Sequence, residues 1–380
     1  MKISKSLFLA FAGLGLFACS NEDVNEGGVI NGPADVSVKI DLPELAGIGR
    51  SVSAPSSDVN VSVNYLKVAL EAEKGSAVKE FTAEDLASGD WSFDNAIVFN
   101  AVESPTKITV EINTVNGEEP VKFETLEDLQ SISIANTRML GKTETFTAVP
   151  NSNTYTATVE MEHTMARLEF GGIVHATHAE GIECEFASGN LSGAYLNNVY
   201  MSPAVTTDNR TVWSESEITN ADFFTSTCPV ADAIEGTNFL PAGTASYPAE
   251  GKVYAYNIYP VKQNKAESLP KFSLYFTNVT ANPNTDNVWS SDKAYAIVGK
   301  YQIPESSDET VVKDLCGEGA VASNGYYNVI NFPAGYVYKV TDLKVADRDI
   351  HPDPLGEGVD LVAVIKVTPW NIVNGHVEWQ

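Results

Sequence analysis

The sequence is poor in basic residues. Its 380 residues contain 24 lysines and arginines against 50 aspartates and glutamates, which gives a net charge of −26. A surface of this sign repels phosphate backbones and anionic headgroups, so we expect no nucleic-acid partner. Histidines number only five, and the G-x-S-x-G, H-E-x-x-H and P-loop motifs are absent. The sequence therefore predicts a protein that is not an enzyme and needs no cofactor or metal.

Cysteine is also scarce. Beyond Cys19, only Cys184, Cys228 and Cys316 remain, widely spaced, odd in number and without a C-x-x-C pattern. The sequence therefore predicts neither a disulfide framework nor a zinc site. Two alternatives remain for these three cysteines: one disulfide with one free thiol, or three buried apolar cysteines. His175 and His178 would point to opposite faces of a strand, so we interpret them as ordinary polar residues.

One acidic segment, 346–360, is a candidate calcium loop. Its spacing matches no known calcium-loop pattern, and its prolines and glycines favour a plain hairpin connection. The carboxylates concerned are Asp347, Asp349, Asp353, Glu357 and Asp360.

Long hydrophobic runs are missing except at the N-terminus. Lys2 and Lys5 precede an apolar run that is too short to span a bilayer comfortably and has the form of a secretory signal. The sequence Leu16-Phe17-Ala18-Cys19 resembles the bacterial lipobox, although a chance cysteine is the alternative. We therefore predict a signal peptide over 1–18 and a lipid on Cys19 that anchors the chain to a membrane.

Strand patterns dominate the rest of the chain, and turn signals such as Asn116-Gly117 and Asn324-Gly325 separate them. These patterns predict an all-β fold with two antiparallel β-sandwich domains in tandem, of transthyretin-like or Greek-key type, and few short helices. An N-terminal domain would cover 51–162 and a C-terminal domain 163–380.

The segment 34–58 combines a core strand with a flexible linker. Val36, Val38, Ile40 and Leu42 alternate with polar residues, as in a strand with one buried face. A glycine- and serine-rich stretch follows, and Arg50 is its single basic residue. Either the strand is permanent and Arg50 is a loop residue, or the strand is provisional and Arg50 marks where it is cut.

These features together resemble the Bacteroidetes fimbrillin family, the major and minor subunits of type V pili. The resemblance rests on Cys19, on Arg50 and on the ending VTPWNIVNGHVEW at 367–379. It implies a precursor that reaches the outer membrane as a lipoprotein, held there through Cys19, and that an arginine-specific protease cuts between Arg50 and Ser51. It further implies that residues 19–50 are a propeptide with a removable first strand, which is released and replaced by the C-terminal tail of another subunit.

The tail has the alternation that such a donor strand needs, because Val373, Val377 and Trp379 share one parity. The partners implied are copies of the chain or other fimbrial subunits, and host or bacterial surface ligands. A fimbrial tip or anchor subunit is one alternative. Another is a monomeric glycan-binding surface lipoprotein, in which Trp91, Trp213 and Trp289 could stack on sugars unless they cover the domain cores.

Overall fold

The computed structural model describes most of the chain between residues 30 and 373. The residues described are 30, 32–41, 60–87, 95–113, 138–176, 183–200, 210–220, 222–224, 228–241, 246–250, 252–286, 289–354, 361–369 and 371–373.

Strands make up nearly all the regular structure of these residues. In the first half they are β1 Ala34–Asp41, β2 Asn60–Ser62, β3 Tyr65–Lys74, β4 Ala77–Thr82, β5 Ile97–Ile112, β6 Met139–Thr143, β7 Thr147–Ala148 and β8 Thr154–His163. In the second half they are β9 Ala166–Phe170, β10 Ile173–His175, β11 Phe186–Asn197, β12 Val199–Tyr200, β13 Arg210–Thr211, β14 Ala231–Leu240, β15 Tyr254–Ile258, β16 Lys271–Ala281, β17 Ser291–Pro304, β18 Tyr326–Asn328, β19 Tyr336–Val340, β20 Leu343–Val345, β21 Leu361–Val364, β22 Lys366–Pro369 and β23 Asn371–Val373.

The helices are short. They are α1 Ala83–Ala87, α2 Glu215–Ile218 and α3 Glu309–Cys316, with 3-10 turns at Ala266–Ser268 and Asp347–Asp349. The longest, α3, begins after Asp308, whose side chain accepts a hydrogen bond from the Thr310 N–H. It ends at Gly317, whose φ of +87° suits glycine. No helix among the described residues is long and apolar enough to cross a membrane.

The first core is built by strands whose side chains alternate in burial. Along β8, Tyr155, Ala157, Val159 and Met161 face inward, and the residues between them are exposed. The strand order is β1-β8-β6-β5-β3-β4, with β7 also on β8, and β1 pairs in addition with β5. The long strands β5 and β8 therefore belong to both sheets of the sandwich. β1 pairs with both of these strands and so closes the strand order into a ring.

The second core lies between two larger sheets. One has the order β14-β11-β16-β17-β18 with β21 also on β17, and the other has the order β15-β9-β19-β22. The rings of Phe170 on β9 and Phe272 on β16 stack with their centroids 3.8 Å apart, which joins the two sheets through the core.

The predicted all-β fold is confirmed. The buried residues form two clusters, one running from Ala34 to Met161 and the other from Met165 to Ile365. Thirteen strand pairings among the described strands are antiparallel. Five more are parallel, which the antiparallel prediction did not include. Each parallel pair joins strands far apart in sequence, where no hairpin turn imposes an antiparallel direction.

Candidate functional site

The first strand, β1, is part of the N-terminal core. Val36 and Val38 are fully buried, and Ile40 is 4% exposed. Asp35 and Lys39 lie on the opposite, exposed face. The alternation seen in the sequence therefore corresponds to an inward apolar face. Leu42, the fourth residue of the predicted strand, lies outside the described residues.

β1 is an interior strand, bonded along both edges. On one side it runs antiparallel to β5, with Val36 opposite Phe99 and Val38 opposite Ile97. On the other side it runs parallel to β8 over its residues 35–41. Without β1, both β5 and β8 would expose unpaired backbone groups, which form a ready template for another strand.

The buried side chains of β1 allow an estimate of the free energy by which this strand stabilises the N-terminal domain. Burying a valine or isoleucine side chain stabilises a fold by about 1.5–3 kcal/mol. Val36, Val38 and Ile40 together therefore contribute roughly 5–9 kcal/mol, as an upper estimate. That is comparable to the whole net stability of many domains. A domain that lost β1 would need another strand in its place.

The C-terminal segment has two parts with different roles in the fold. β21 pairs in parallel with β17, β22 pairs with β19, and Leu361, Ala363 and Ile365 are buried in the C-terminal core. β23 instead pairs in parallel with β2, Ser62 being opposite Val373. Residues 361–369 thus belong to the C-terminal domain, whereas 371–373 pair with a segment close behind Arg50 in the chain.

Several residues singled out in the sequence lie outside the described residues. These are Cys19, Arg50, Ser51, Trp91, His178, Glu357, Asp360, Val377 and Trp379. Their proposed roles remain predictions.

One buried polar cluster was not found from the sequence. His175 is 2% exposed, and its Nε2 lies 2.8 Å from Asp347 Oδ1. The Cys184 thiol donates to the same oxygen over 3.4 Å, and the Glu185 N–H donates to Oδ2 over 2.8 Å. The interpretation of His175 as an ordinary polar residue did not include its burial or its contact with Asp347. Since 172 positions separate it from Asp347, no local motif could have indicated the pair.

The acidic segment behaves as a connection in its described part. Asp347 points to His175, while Asp349 Oδ2 accepts a hydrogen bond from the Ala346 N–H. Asp353 is exposed. Asp347 and Asp349 therefore bind different groups rather than one shared calcium ion. The segment joins β20, which pairs with β10, to β21, which pairs with β17, so it connects two different sheets and is not the hairpin that the sequence favours.

The cysteines and two of the tryptophans have structural surroundings. Cys184, Cys228 and Cys316 are thiols rather than disulfides. Burial raises the pKa of Cys228 to about 12 and that of Cys316 to about 11, so both are protonated at neutral pH and poor nucleophiles. Trp213 and Trp289 pack against the C-terminal core, and the Trp213 indole N–H donates to the Leu196 carbonyl. These two tryptophans cover the core, as one of the two sequence interpretations expects.

Comparison with known proteins gives matches among solved structures only. No protein-family model matches the chain, and no curated protein matches it. A proposed cell adhesion protein from Bacteroides eggerthii is 14% identical, with 90% of this chain and 97% of that chain covered and a TM-score of 0.45. A fimbrilin from Porphyromonas gingivalis is 13% identical, with coverages of 91% and 99% and a TM-score of 0.45.

A third solved structure is similar at the same level. It is a proposed cell adhesion protein from Parabacteroides distasonis, 14% identical, with 90% of this chain and 98% of that chain covered and a TM-score of 0.42. The structural neighbours are fimbrilin and proposed cell adhesion proteins of the Bacteroidetes.

Proposed function

We propose that this protein is a structural subunit of a cell-surface fimbria of the type V pilus kind, which polymerises by donor-strand exchange and supports adhesion. The observation that carries the proposal is the position of β1. This strand lies between β5 and β8 with both edges bonded, yet it precedes Arg50 in the chain. A single cut after Arg50 would separate it covalently from the domain whose core it completes.

Processing follows from the order of segments along the chain. Residues 1–18 direct export, and Cys19 receives the lipid that anchors the precursor to the outer membrane. An arginine-specific protease then cuts between Arg50 and Ser51. Proteolysis requires an extended, accessible segment, and the glycines before the bond and the serines after it are residue types that favour one. The mature subunit begins at Ser51 and joins the surface fimbria.

The groove vacated by β1 determines which kind of strand can replace β1. It accepts a strand whose alternate residues are apolar, with main-chain bonds to β5 and β8 giving affinity. In the tail, Val373, Val377 and Trp379 supply that face, and a tryptophan buries 150–250 Å². Because 371–373 pair with β2 in the structure described here, the tail must leave β2 before it enters the groove of a neighbouring subunit.

The cleavage step is tested by Arg50→Ala. This variant should accumulate as an uncut lipidated precursor that forms no fibres. Arg348→Ala is the matched control, because the Arg348 side chain is 87% exposed in the C-terminal domain; it should be processed and polymerise normally. N-terminal sequencing of protein from the cell surface should give Ser51. Protein that starts at Cys19 and still forms fibres would contradict release of β1.

Lipidation is tested separately by Cys19→Ala. The variant should lose incorporation of a labelled fatty acid and fail to reach the outer surface. Label that persists in Cys19→Ala would refute Cys19 as the lipid site, whatever the outcome of the cleavage test.

A further inference from the structure

Three distant segments of the C-terminal domain meet at the carboxylate of Asp347. His175 ends β10, Cys184 lies in the segment before β11, and Asp347 begins the 3-10 turn Asp347–Asp349. Asp347 Oδ1 accepts from Cys184 Sγ and is 2.8 Å from His175 Nε2. An edge-to-face contact with Phe239, with ring centroids 5.9 Å apart, helps to fix the imidazole. One nitrogen donor and one sulfur donor therefore both lie against the same carboxylate oxygen.

The spacing of these donors fits a tetrahedral cation. One donor atom from each of the three side chains lies within 4.8 Å of the other two. Around zinc, bonds of about 2.0–2.3 Å at tetrahedral angles place the nitrogen and oxygen ligands about 3.4 Å apart and the sulfur and oxygen ligands about 3.6 Å apart. The sulfur–oxygen distance of 3.4 Å is about 0.2 Å shorter than this. The nitrogen–oxygen distance of 2.8 Å would have to open by about 0.6 Å.

The donor types and the charge favour zinc. A thiolate with an imidazole is a borderline-soft set that suits Zn²⁺, whereas Ca²⁺ and Mg²⁺ prefer oxygen ligands alone. Thiolate, carboxylate and neutral imidazole carry two negative charges, which Zn²⁺ neutralises. This matters because His175 and Asp347 are buried, and an uncompensated buried charge is costly. The Glu185 N–H binds Oδ2 and so leaves Oδ1 directed at the other donors.

We propose that His175, Cys184 and Asp347 bind a zinc ion through Nε2, Sγ and Oδ1. On binding, the Cys184 thiol releases its proton to solvent, and the imidazole keeps its proton on Nδ1. The ion would tie β10, the segment before β11 and the 3-10 turn together. The proposal does not depend on fibre assembly, so it stands or falls separately from the function proposed above.

The test compares serine variants of the full chain. Cys184→Ser keeps a hydroxyl that can donate to Asp347 but removes the thiolate, so folding should survive while zinc binding is lost. Cys228→Ser is the control, because that thiol is buried elsewhere in the same core. After chelator treatment, titration calorimetry with Zn²⁺ should show one site per chain for the parent and for Cys228→Ser. The affinity of Cys184→Ser should fall by at least about 100-fold, because losing a direct ligand costs more than the roughly 10–100-fold typical of losing an outer-shell partner.

The absorption spectrum with Co²⁺ is a second measurement, because a thiol with only a structural role would not give a thiolate–cobalt band. Co²⁺ added to the parent should show the near-ultraviolet band of a thiolate–cobalt bond, and this band should be absent in Cys184→Ser. Zinc affinity should also fall as the solution is acidified, because protons compete for the ligands. No bound zinc in the parent, equal affinity in Cys184→Ser, or a cobalt complex without the thiolate band would each overturn the proposal.

Discussion

Val36 of β1 lies directly opposite Phe99 of β5, and both side chains are buried, with exposed fractions of 0% and 3%. On the other edge of β1, Val36 is paired in parallel register with Tyr155 of β8. The core of the N-terminal domain thus depends on a segment that precedes Arg50 in the chain.

The first prediction concerns the inward face of β1. Val36→Ala should lower the free energy of unfolding of the uncut precursor by about 1–3 kcal/mol, because it removes two buried methyl groups and leaves a cavity. Urea unfolding measures this loss. Lys39→Ala is the control on the exposed face of the same strand and should change stability by less than about 0.5 kcal/mol.

The same variant distinguishes a removable strand from a permanent one. After cleavage and assembly, parent and Val36→Ala subunits should have equal stability, because β1 has left both. A Val36→Ala penalty that persists in assembled, processed protein would mean that β1 stays in the groove.

The second prediction concerns the close approach of Gly172 to a neighbouring loop. Gly172 has a φ of +62°, and a Cβ there would lie 1.9 Å from the Thr341 carbonyl oxygen. Gly172→Ala should therefore destabilise the C-terminal domain by more than about 2 kcal/mol, measured by thermal unfolding. Gly319→Ala shares a positive φ of +74° but meets no atom within 4 Å. Gly319→Ala should lower the free energy of unfolding by no more than about 1–2 kcal/mol, which is the cost of backbone strain alone. The extra loss in Gly172→Ala then measures the clash with Thr341, and equal losses in the two variants would contradict the clash.

The sequence predicts the local features of this fold and misses its long-range ones. Alternation at Val36, Val38 and Ile40 predicts an inward face, since a strand has a period of two, and these residues are buried. The parallel pairing of β1 with β8 is not predictable in this way, because it joins residues more than 100 positions apart with no turn to fix direction. The contact of His175 with Asp347 is missed for the same reason.

The third prediction is a loss of stability in alkali. Burial raises the pKa of Cys316 to about 11 and those of Cys228 and Tyr254 to about 12, from ordinary values of 9.0 for cysteine and 10.0 for tyrosine. Above about pH 9 the unfolded chain therefore loses protons that the folded chain keeps, so stability falls as the pH rises. These groups contribute their full stabilisation below the unfolded pKa.

Urea unfolding at a series of pH values checks the sign of this effect. These three groups should leave the urea midpoint nearly unchanged up to about pH 8. Above that pH the midpoint should fall steadily toward about pH 11. Cys316→Ala lacks one of the titrating groups, so its midpoint should fall less steeply over the same range. A midpoint that rises with pH above 9, or a slope unchanged in Cys316→Ala, would contradict the assignment.

The last prediction concerns the tail. Deleting residues 371–380 removes β23, whose described contact is the short parallel pairing with β2, but keeps the buried residues Leu361, Ala363 and Ile365. The truncated chain should fold with a melting temperature within a few degrees of the parent and be cut after Arg50. It should then fail to form fibres, because the strand that fills the next groove is gone. Electron microscopy and SDS gels of unboiled samples, after arginine-specific proteolysis, measure assembly.

A longer deletion provides the control for the tail. Removing 361–380 also takes away three side chains of the C-terminal core, together with the pairings of β21 and β22. That chain should be destabilised by several kcal/mol, since each buried aliphatic side chain contributes about 1.5–3 kcal/mol. If the shorter deletion lowers the melting temperature as much as the longer one, residues 371–380 act as a strand of their own domain. If the shorter deletion still yields fibres, the donor strand lies elsewhere. Only an unchanged melting temperature combined with loss of fibres supports donation by 371–380.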